Sequence, residues 1–87
     1  MKSFIKPIAF NEVSRNVVLL HKALNVLELP VSEKEVEQKK AGPDTRRKVR
    51  TLQKQLAVPI DQSILVNQAT TAAIADALEL RGFIKPQ

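Results

Sequence analysis

The side chains best suited to catalysis in this chain are a single histidine, His21, and three alternating acids, Glu33, Glu35 and Glu37. A hydrolase requires a nucleophile beside a base, or a metal ion with an open coordination position. Glu33 and Glu37 are four residues apart and share a helix face, but they have no histidine or cysteine partners for a metal ion. We therefore expect a solvated acidic face, a structural role for His21, and no metal, cofactor or catalysis.

Other kinds of site are limited by residue types that the chain lacks. Two glycines, Gly42 and Gly82, are too few for a glycine-rich phosphate loop, and no cysteine is present to form a disulfide or a thiolate zinc site. Recognition of sugar rings usually exploits aromatic faces, yet the chain has no Trp or Tyr, and its three phenylalanines lie in the terminal segments. A bound glycan would therefore be held by polar or ionic contacts.

Positive charge is concentrated between residues 39 and 54. Seven basic residues accompany a single acid there, while the whole chain has a net charge of +5. Such a patch is either a solvated helix surface or a contact surface for phosphates, acidic glycans or an acidic protein. The lack of aromatic platforms and of a recognition-helix motif argues against nucleic acid. The candidate binding residues are Lys39, Lys40, Arg46, Arg47, Arg50 and Lys54.

The elements that must position these residues are predicted to be helices, because apolar residues recur at steps of three and four. Asn11 is the expected N-cap of a first helix over about residues 12–28. Ser32 and Glu35 have the spacing of a capping box for a short helix at about 33–40. That short helix is expected to make its apolar contact through Val36.

A third helix is predicted over about residues 44–57. Gly42 permits a sharp turn before it, a proline suits its first turn, and Asp44 or Thr45 can cap it. Asn67 or Thr70 caps the last helix, for which Gly82 is the C-terminal stop. The predicted core consists of Val17, Leu20, Leu24, Leu27, Val49, Leu52, Leu56, Ile74 and Leu78.

An internal echo relates the two halves of this helical region. Leu20-x-Lys22-x-Leu24 and the later Leu29-Pro30-Val31 match Leu52-x-Lys54-x-Leu56 and Val58-Pro59-Ile60. Each series ends on a threonine-led helix, which begins near Thr45 in one copy and near Thr70 in the other. The middle helix thus serves both copies, which predicts an all-α, compact three-helix bundle with an extra short helix in the first connection.

The ends of the chain repeat one another, since Phe-Ile-Lys-Pro occurs at residues 4–7 and again at 83–86. Residues before proline favour extended backbone, so both ends are expected to be extended arms outside the core, either paired as a ribbon or unrelated linkers. The expected division is an arm at 1–10, a domain at 11–82 and an arm at 83–87. No signal peptide and no membrane span is expected from the apolar runs.

The central block resembles the peptidoglycan-binding-like domain family. Gly42-Pro43-Asp44-Thr45, followed by Val49 and by Leu52-Gln53, is similar to the family's Gly-x-x-Thr-x-x-x-Val-x-x-Leu-Gln pattern. The series Leu20-His21-Lys22-Ala23-Leu24 resembles the family's first Leu-Gln-x-x-Leu, with His21 in the glutamine position. Ala69-Thr70 with Ile74 resembles the final block, although no glycine precedes Thr70. Residues 14 to 81 are covered, and the motif residues are Gly42, Asp44, Thr45, Gln53 and Thr70.

The resemblance implies a three-helix module without catalysis, of the kind appended to cell-wall enzymes or to large exported proteins. The motif residues mostly encode packing, with a threonine capping a helix and Gln53 satisfying backbone groups of a loop. The implied partner is a cell-wall polymer, peptidoglycan, in the cell envelope or outside the cell. The alternative is a protein-interaction or assembly domain of a larger exported protein.

Overall fold

Four α-helices make up most of residues 5–82, the part of the chain that the computed structural model describes. They are α1 (Arg15–Val26), α2 (Glu33–Gln38), α3 (Pro43–Gln55) and α4 (Gln68–Leu80). Extended pairing in this range is confined to two isolated antiparallel bridges. Helix α1 packs against both α3 and α4. The predicted all-α fold is confirmed, with three longer helices and a short one in the first connection.

The core lies where the apolar faces of α1, α3 and α4 meet. Eight of the nine predicted core residues are buried there. The prediction for Leu56 is wrong, because α3 ends at Gln55 and leaves Leu56 as the C-cap, with 37% of its surface exposed. Ala57 then adopts a left-handed conformation (φ 54°), which turns the chain away before another helical turn can form. The eight buried residues are Val17, Leu20, Leu24, Leu27, Val49, Leu52, Ile74 and Leu78.

The helix ends follow local capping chemistry in some places and tertiary contacts in others. Asn11 is not the cap of α1; it has a left-handed backbone (φ 60°), and Ser14 accepts the hydrogen bond from the Val17 N–H instead. Asn67 caps α4 by accepting from the Thr70 N–H. Gly82 follows the C-cap of α4 with φ 77°, a conformation for which glycine has no steric penalty, so the predicted stop is confirmed.

The capping box predicted for α2 does not form. The Ser32 side chain makes no capping hydrogen bond, and its backbone N–H donates to Asp44 Oδ2 at 2.7 Å. In a capping box, the Glu35 carboxylate would accept this hydrogen bond from the Ser32 N–H. Glu35 is instead buried and caps α3, so α2 and α3 exchange acidic caps. Val36, the expected apolar contact, is 44% exposed.

The N-terminal segment packs on the helices instead of leaving them. Ile5 and Ile8 are buried in the core, and Ile8 pairs with Val66 through backbone hydrogen bonds of 2.9 and 3.0 Å. A second bridge joins Val13 to Lys40. The expected arm is therefore corrected over residues 5–10, which pack on the core and pair with the loop before α4. Residues 11–13, which follow directly, pair with the loop before α3. The first Phe-Ile-Lys-Pro segment lies partly outside the described residues. The second segment, with the predicted arm at residues 83–87, lies wholly outside them, and so does the predicted ribbon between the two arms.

Candidate functional site

The basic residues of the patch sit in three different structural settings. Arg46, Arg47 and Lys54 are exposed on α3. Lys39 is exposed at the C-cap of α2, where its left-handed backbone (φ 55°) ends the helix. Lys40 is half-buried in the bridge to Val13, and Arg50 is half-buried against the core.

The Phe10 ring organises two of these arginines. The guanidinium carbons of Arg46 and Arg50 lie 5.3 and 5.5 Å from its centroid, within the range of a cation–π contact. Phe10 reaches α3 because the N-terminal segment is held against the core by Ile8. From the sequence, Phe10 was expected in the extended arm at residues 1–10, and this contact was not predicted. No local spacing in the sequence relates Phe10 to α3.

Arg50 is committed to the structure of the loop before α4. Its guanidinium donates to Gln53 Oε1 at 2.8 Å and approaches the Leu65 carbonyl at 3.4 Å. Partial burial and the neighbouring Arg46 lower its pKa from the ordinary value, with Asp61 acting in the opposite direction. Arg50 is therefore a structural cation at the edge of the patch.

Arg46 borders an open cleft of about 320 Å³. Phe10 and Asn11 form one side of the cleft, and Gly42 and Pro43 at the start of α3 form the other. Within residues 5–82 the ion pair that forms is Arg47 with Asp44, 3.5 Å apart and one helical turn apart on the surface of α3. Arg46 thus presents a cation beside the cleft without an acidic side chain to neutralise it.

Beneath the patch, His21, Thr45 and Glu35 form a buried polar chain. Glu35 Oε1 accepts from the Thr45 backbone N–H at 2.8 Å and from the Thr45 hydroxyl at 2.7 Å, while Glu35 Oε2 accepts from the Asp44 N–H at 2.8 Å. His21 Nε2 lies 2.8 Å from Thr45 Oγ1. Gly42 leaves room for this arrangement, because a Cβ there would lie 2.9 Å from the Glu35 carboxyl carbon.

The direction of these hydrogen bonds differs from that in a catalytic triad, although the residue types are similar. In a triad the hydroxyl gives its proton to the imidazole and the carboxylate orients the imidazole. Here the Thr45 hydroxyl donates to the Glu35 carboxylate, so it accepts from His21 Nε2–H. Thr45 is also completely buried. The hydrogen-bonded series His21, Thr45 and Glu35 therefore caps the N-terminus of α3.

Both ionisable groups of this chain have shifted pKa values. Burial lowers the pKa of His21, with the Glu35 carboxylate and the Lys40 backbone carbonyl opposing the shift. Burial alone would raise the pKa of Glu35, but the hydrogen bonds from Thr45, Asp44 and Gly42 outweigh it and hold the pKa below its ordinary value. A neutral imidazole and a charged carboxylate are therefore favoured in the folded chain.

The second copy of the internal echo contains an equivalent polar chain. Gln53 Nε2 donates to Thr70 Oγ1 at 2.9 Å and to the Leu65 carbonyl at 3.3 Å, and the Thr70 hydroxyl donates to Asn67 Oδ1 at 2.7 Å. Gly42 and Asn67 occupy the same N-cap position, three residues before a buried threonine. Asn67 supplies its own capping oxygen, whereas Gly42 has none and the cap comes from Glu35. Thr45 and Thr70 thus lie inside the first turn and are not the caps.

No group of three or more His, Cys, Asp or Glu side chains in residues 5–82 could hold a metal ion. Across the same range, no helix is both long and apolar enough to cross a membrane. Glu33 and Glu37 are exposed on α2, as expected for solvated acids.

No family model, curated protein or solved structure matches the chain.

Proposed function

We propose that the chain is a non-catalytic binding module that holds an anionic cell-wall polymer through the basic surface of α3. This surface consists of the exposed patch residues Arg46, Arg47 and Lys54. The observation that carries the proposal is the pairing of Arg46 with the Phe10 ring beside the open cleft. A guanidinium held over a ring has fewer orientations to lose on binding, and it forms strong, directional hydrogen bonds with carboxylates. The motif resemblance supports peptidoglycan, whose peptide stems carry carboxylates, as the polymer.

The test is co-sedimentation of the purified chain with isolated peptidoglycan sacculi. We expect the wild-type chain to pellet with sacculi at low salt and to be released near 1 M salt, where the screening length falls to about 3 Å. Arg46→Gln should weaken retention on the order of tenfold, because one charge-assisted contact is lost. A wild-type chain that remains in the supernatant at low salt contradicts the proposal.

Two control variants separate a specific contact from general loss of charge. Lys34→Gln removes an exposed cation of α2 and should retain binding close to wild type. Arg47→Ala removes a side chain that is 71% exposed and whose surface ion pair contributes at most about 1 kcal/mol, so folding should be nearly unchanged. Equal weakening by Lys34→Gln and Arg46→Gln would show attraction by net charge alone.

The second candidate function is docking of a protein partner. It is favoured by apolar side chains that the fold leaves exposed, including Val13 on the N-terminal segment, Val36 on α2 and Leu80 at the end of α4. Exposed apolar residues are common singly, so the candidate depends on whether any of them belongs to a shaped site. Val36 does, because it lines a groove against α1.

A further inference from the structure

The cleft beside Arg46 lies between two segments whose backbones are hydrogen-bonded to each other. The Asn11 N–H donates to the Ala41 carbonyl, and the Ala41 N–H donates to the Glu12 carbonyl, both at 2.9 Å. These bonds hold the N-terminal side of the cleft against the side formed by the start of α3. The cleft is therefore a preformed cavity, as sites for small ligands usually are.

The charges around the cleft favour an anion. The guanidinium carbons of Arg46 and Arg50 lie 5.3 and 5.5 Å from the same Phe10 ring, so two like charges are close together. Their repulsion contributes to the lowered pKa of Arg50, and Asp61 offsets part of it. Arg46 forms no ion pair with an acidic side chain of residues 5–82. An anion that enters the cleft at Arg46 relieves this repulsion and is attracted to the site.

The first turn of α3 limits the kind of anion. Phosphate groups are often held by free backbone N–H groups at a helix N-terminus. Here the N–H groups of residues 44 and 45 already donate to the Glu35 carboxylate, and Pro43 has no N–H. That carboxylate also lies directly behind Gly42, where it repels a second negative charge. The donor that remains is the Arg46 guanidinium, whose planar fork matches a carboxylate with two parallel hydrogen bonds.

We propose that the cleft binds the terminal carboxylate of a peptide whose last residue has a small apolar side chain. The carboxylate pairs with the Arg46 guanidinium, the small side chain packs on Ala41 and Pro43, and the Asn11 amide pairs with the preceding peptide group. The volume of about 320 Å³ is sufficient, since a cavity of about 150 Å³ already holds a benzene ring. This inference rests on the proposed function and names the group of the cell-wall polymer that is recognised.

The test is an NMR titration of the full chain with N-acetylalanine, which carries the carboxylate, the small side chain and the preceding amide. We expect saturable shifts of the Gly42 N–H, the Phe10 ring and the Arg46 Nε–H. The uncharged N-acetylalaninamide should bind at least about tenfold more weakly, because the charge-assisted hydrogen bonds are lost. Dimethyl phosphate, which has the same charge but neither a planar carboxylate nor an amide, should also bind roughly tenfold more weakly.

The two control probes decide the class of ligand. Binding of dimethyl phosphate as tight as that of N-acetylalanine overturns the assignment to a carboxylate. Equal binding of N-acetylalaninamide overturns the role of the charge. Titration with N-acetylalanine that gives no saturable shift at the cleft overturns the proposal as a whole.

Variants at exposed positions locate the site without disturbing the core. Arg46→Lys keeps the charge but loses the planar fork, so it should weaken N-acetylalanine binding on the order of tenfold. Asn11→Gly removes the amide and keeps a residue that adopts φ 60° freely, so it should weaken binding about three- to tenfold. Lys34→Gln, on α2, is the matched control for charge and should bind like wild type. Undiminished binding by Arg46→Lys or by Asn11→Gly overturns the proposal.

Sacculi distinguish this inference from the proposed function. A wild-type chain that pellets with sacculi but gives no saturable shifts with N-acetylalanine refutes the cleft assignment alone. A chain that binds N-acetylalanine selectively but stays in the supernatant with sacculi refutes the proposed polymer, while recognition of the carboxylate by the cleft is retained.

Discussion

Glu35 accepts hydrogen bonds from three donors at the start of α3, although it belongs to α2. Its neighbours in sequence, Glu33 and Glu37, point to solvent. A buried carboxylate is tolerated only when hydrogen bonds compensate for its lost hydration, and the Thr45 and Asp44 backbone N–H groups do so here. One side chain therefore joins two helices that have few other contacts.

Replacing Glu35 with Ala should destabilise the chain by about 1–3 kcal/mol, because buried N–H groups of α3 lose their acceptor. Glu37→Ala is the matched control, since it removes the same charge from the same helix at an exposed position. Urea denaturation followed by circular dichroism measures both. Similar free energies of unfolding for the two variants would contradict the capping role of Glu35.

The shifted pKa values of His21 and Glu35 predict loss of stability in acid. Both are lower in the folded chain than their ordinary values of 6.5 and 4.5, so the unfolded chain binds protons first as the pH falls. Stability should be full above pH 6.5, decline below it through His21, and decline again below 4.5 through Glu35. Each group contributes a slope of at most about 1.4 kcal/mol per pH unit.

The His21→Gln variant separates the two steps of this pH dependence. Glutamine is the residue at the equivalent position 53, where its amide donates to a threonine hydroxyl in the same way. The variant should keep the acid loss below pH 4.5 and lack the one just below 6.5, as measured by thermal denaturation across pH 4–8. An unchanged profile between pH 5 and 6.5 would assign that step to another group.

At the scale of the helices, the exchange of caps between α2 and α3 depends on Gly42. Its backbone (φ −87°) is one that any residue adopts, so glycine is required there for space and not for a special conformation. The space is occupied by the Glu35 carboxylate. Gly42 therefore allows the start of α3 to approach the Glu35 side chain of α2 closely, and the sharp turn that the sequence predicted is not the reason for the glycine.

A double-mutant cycle tests this dependence. Gly42→Ala should cost about 1–2 kcal/mol in the wild-type chain, because the new Cβ displaces the Glu35 carboxylate from its donors. In the Glu35→Ala background the same change should cost less, about 0.5–1 kcal/mol, which is the ordinary preference for Gly over Ala at an N-cap. Additive free energies would show that Gly42 and Glu35 act independently.

At the scale of the whole molecule, the described residues measure 32 × 25 × 20 Å, so a small number of side chains fills the interior. Leu52 is buried in the shared apolar centre, whereas Leu56, one turn later, is partly exposed. The N-terminal segment completes this centre with Ile5 and Ile8. The stability of the fold therefore depends on the packing of the N-terminal segment against the helices as well as on the packing of the helices against one another.

Leu52→Ala should lower the free energy of unfolding by about 2–5 kcal/mol, a large share of the roughly 5–15 kcal/mol typical of domains. Leu56→Ala should cost about 1 kcal/mol or less, because part of that side chain already contacts water. Chemical denaturation compares the two. A cost at Leu56 equal to that at Leu52 would restore the original expectation of a core position.

The sequence by itself determined the number and type of the helices, most of their buried positions, and the stop at Gly82. These follow from apolar spacing and backbone preferences, which act between residues a few positions apart. Only the tertiary structure decided that Glu35 caps α3, that Phe10 lies beside Arg46, and that Ile8 pairs with Val66. Each of these contacts joins separate segments, and its energy depends on the distance and burial that appear once the helices have packed.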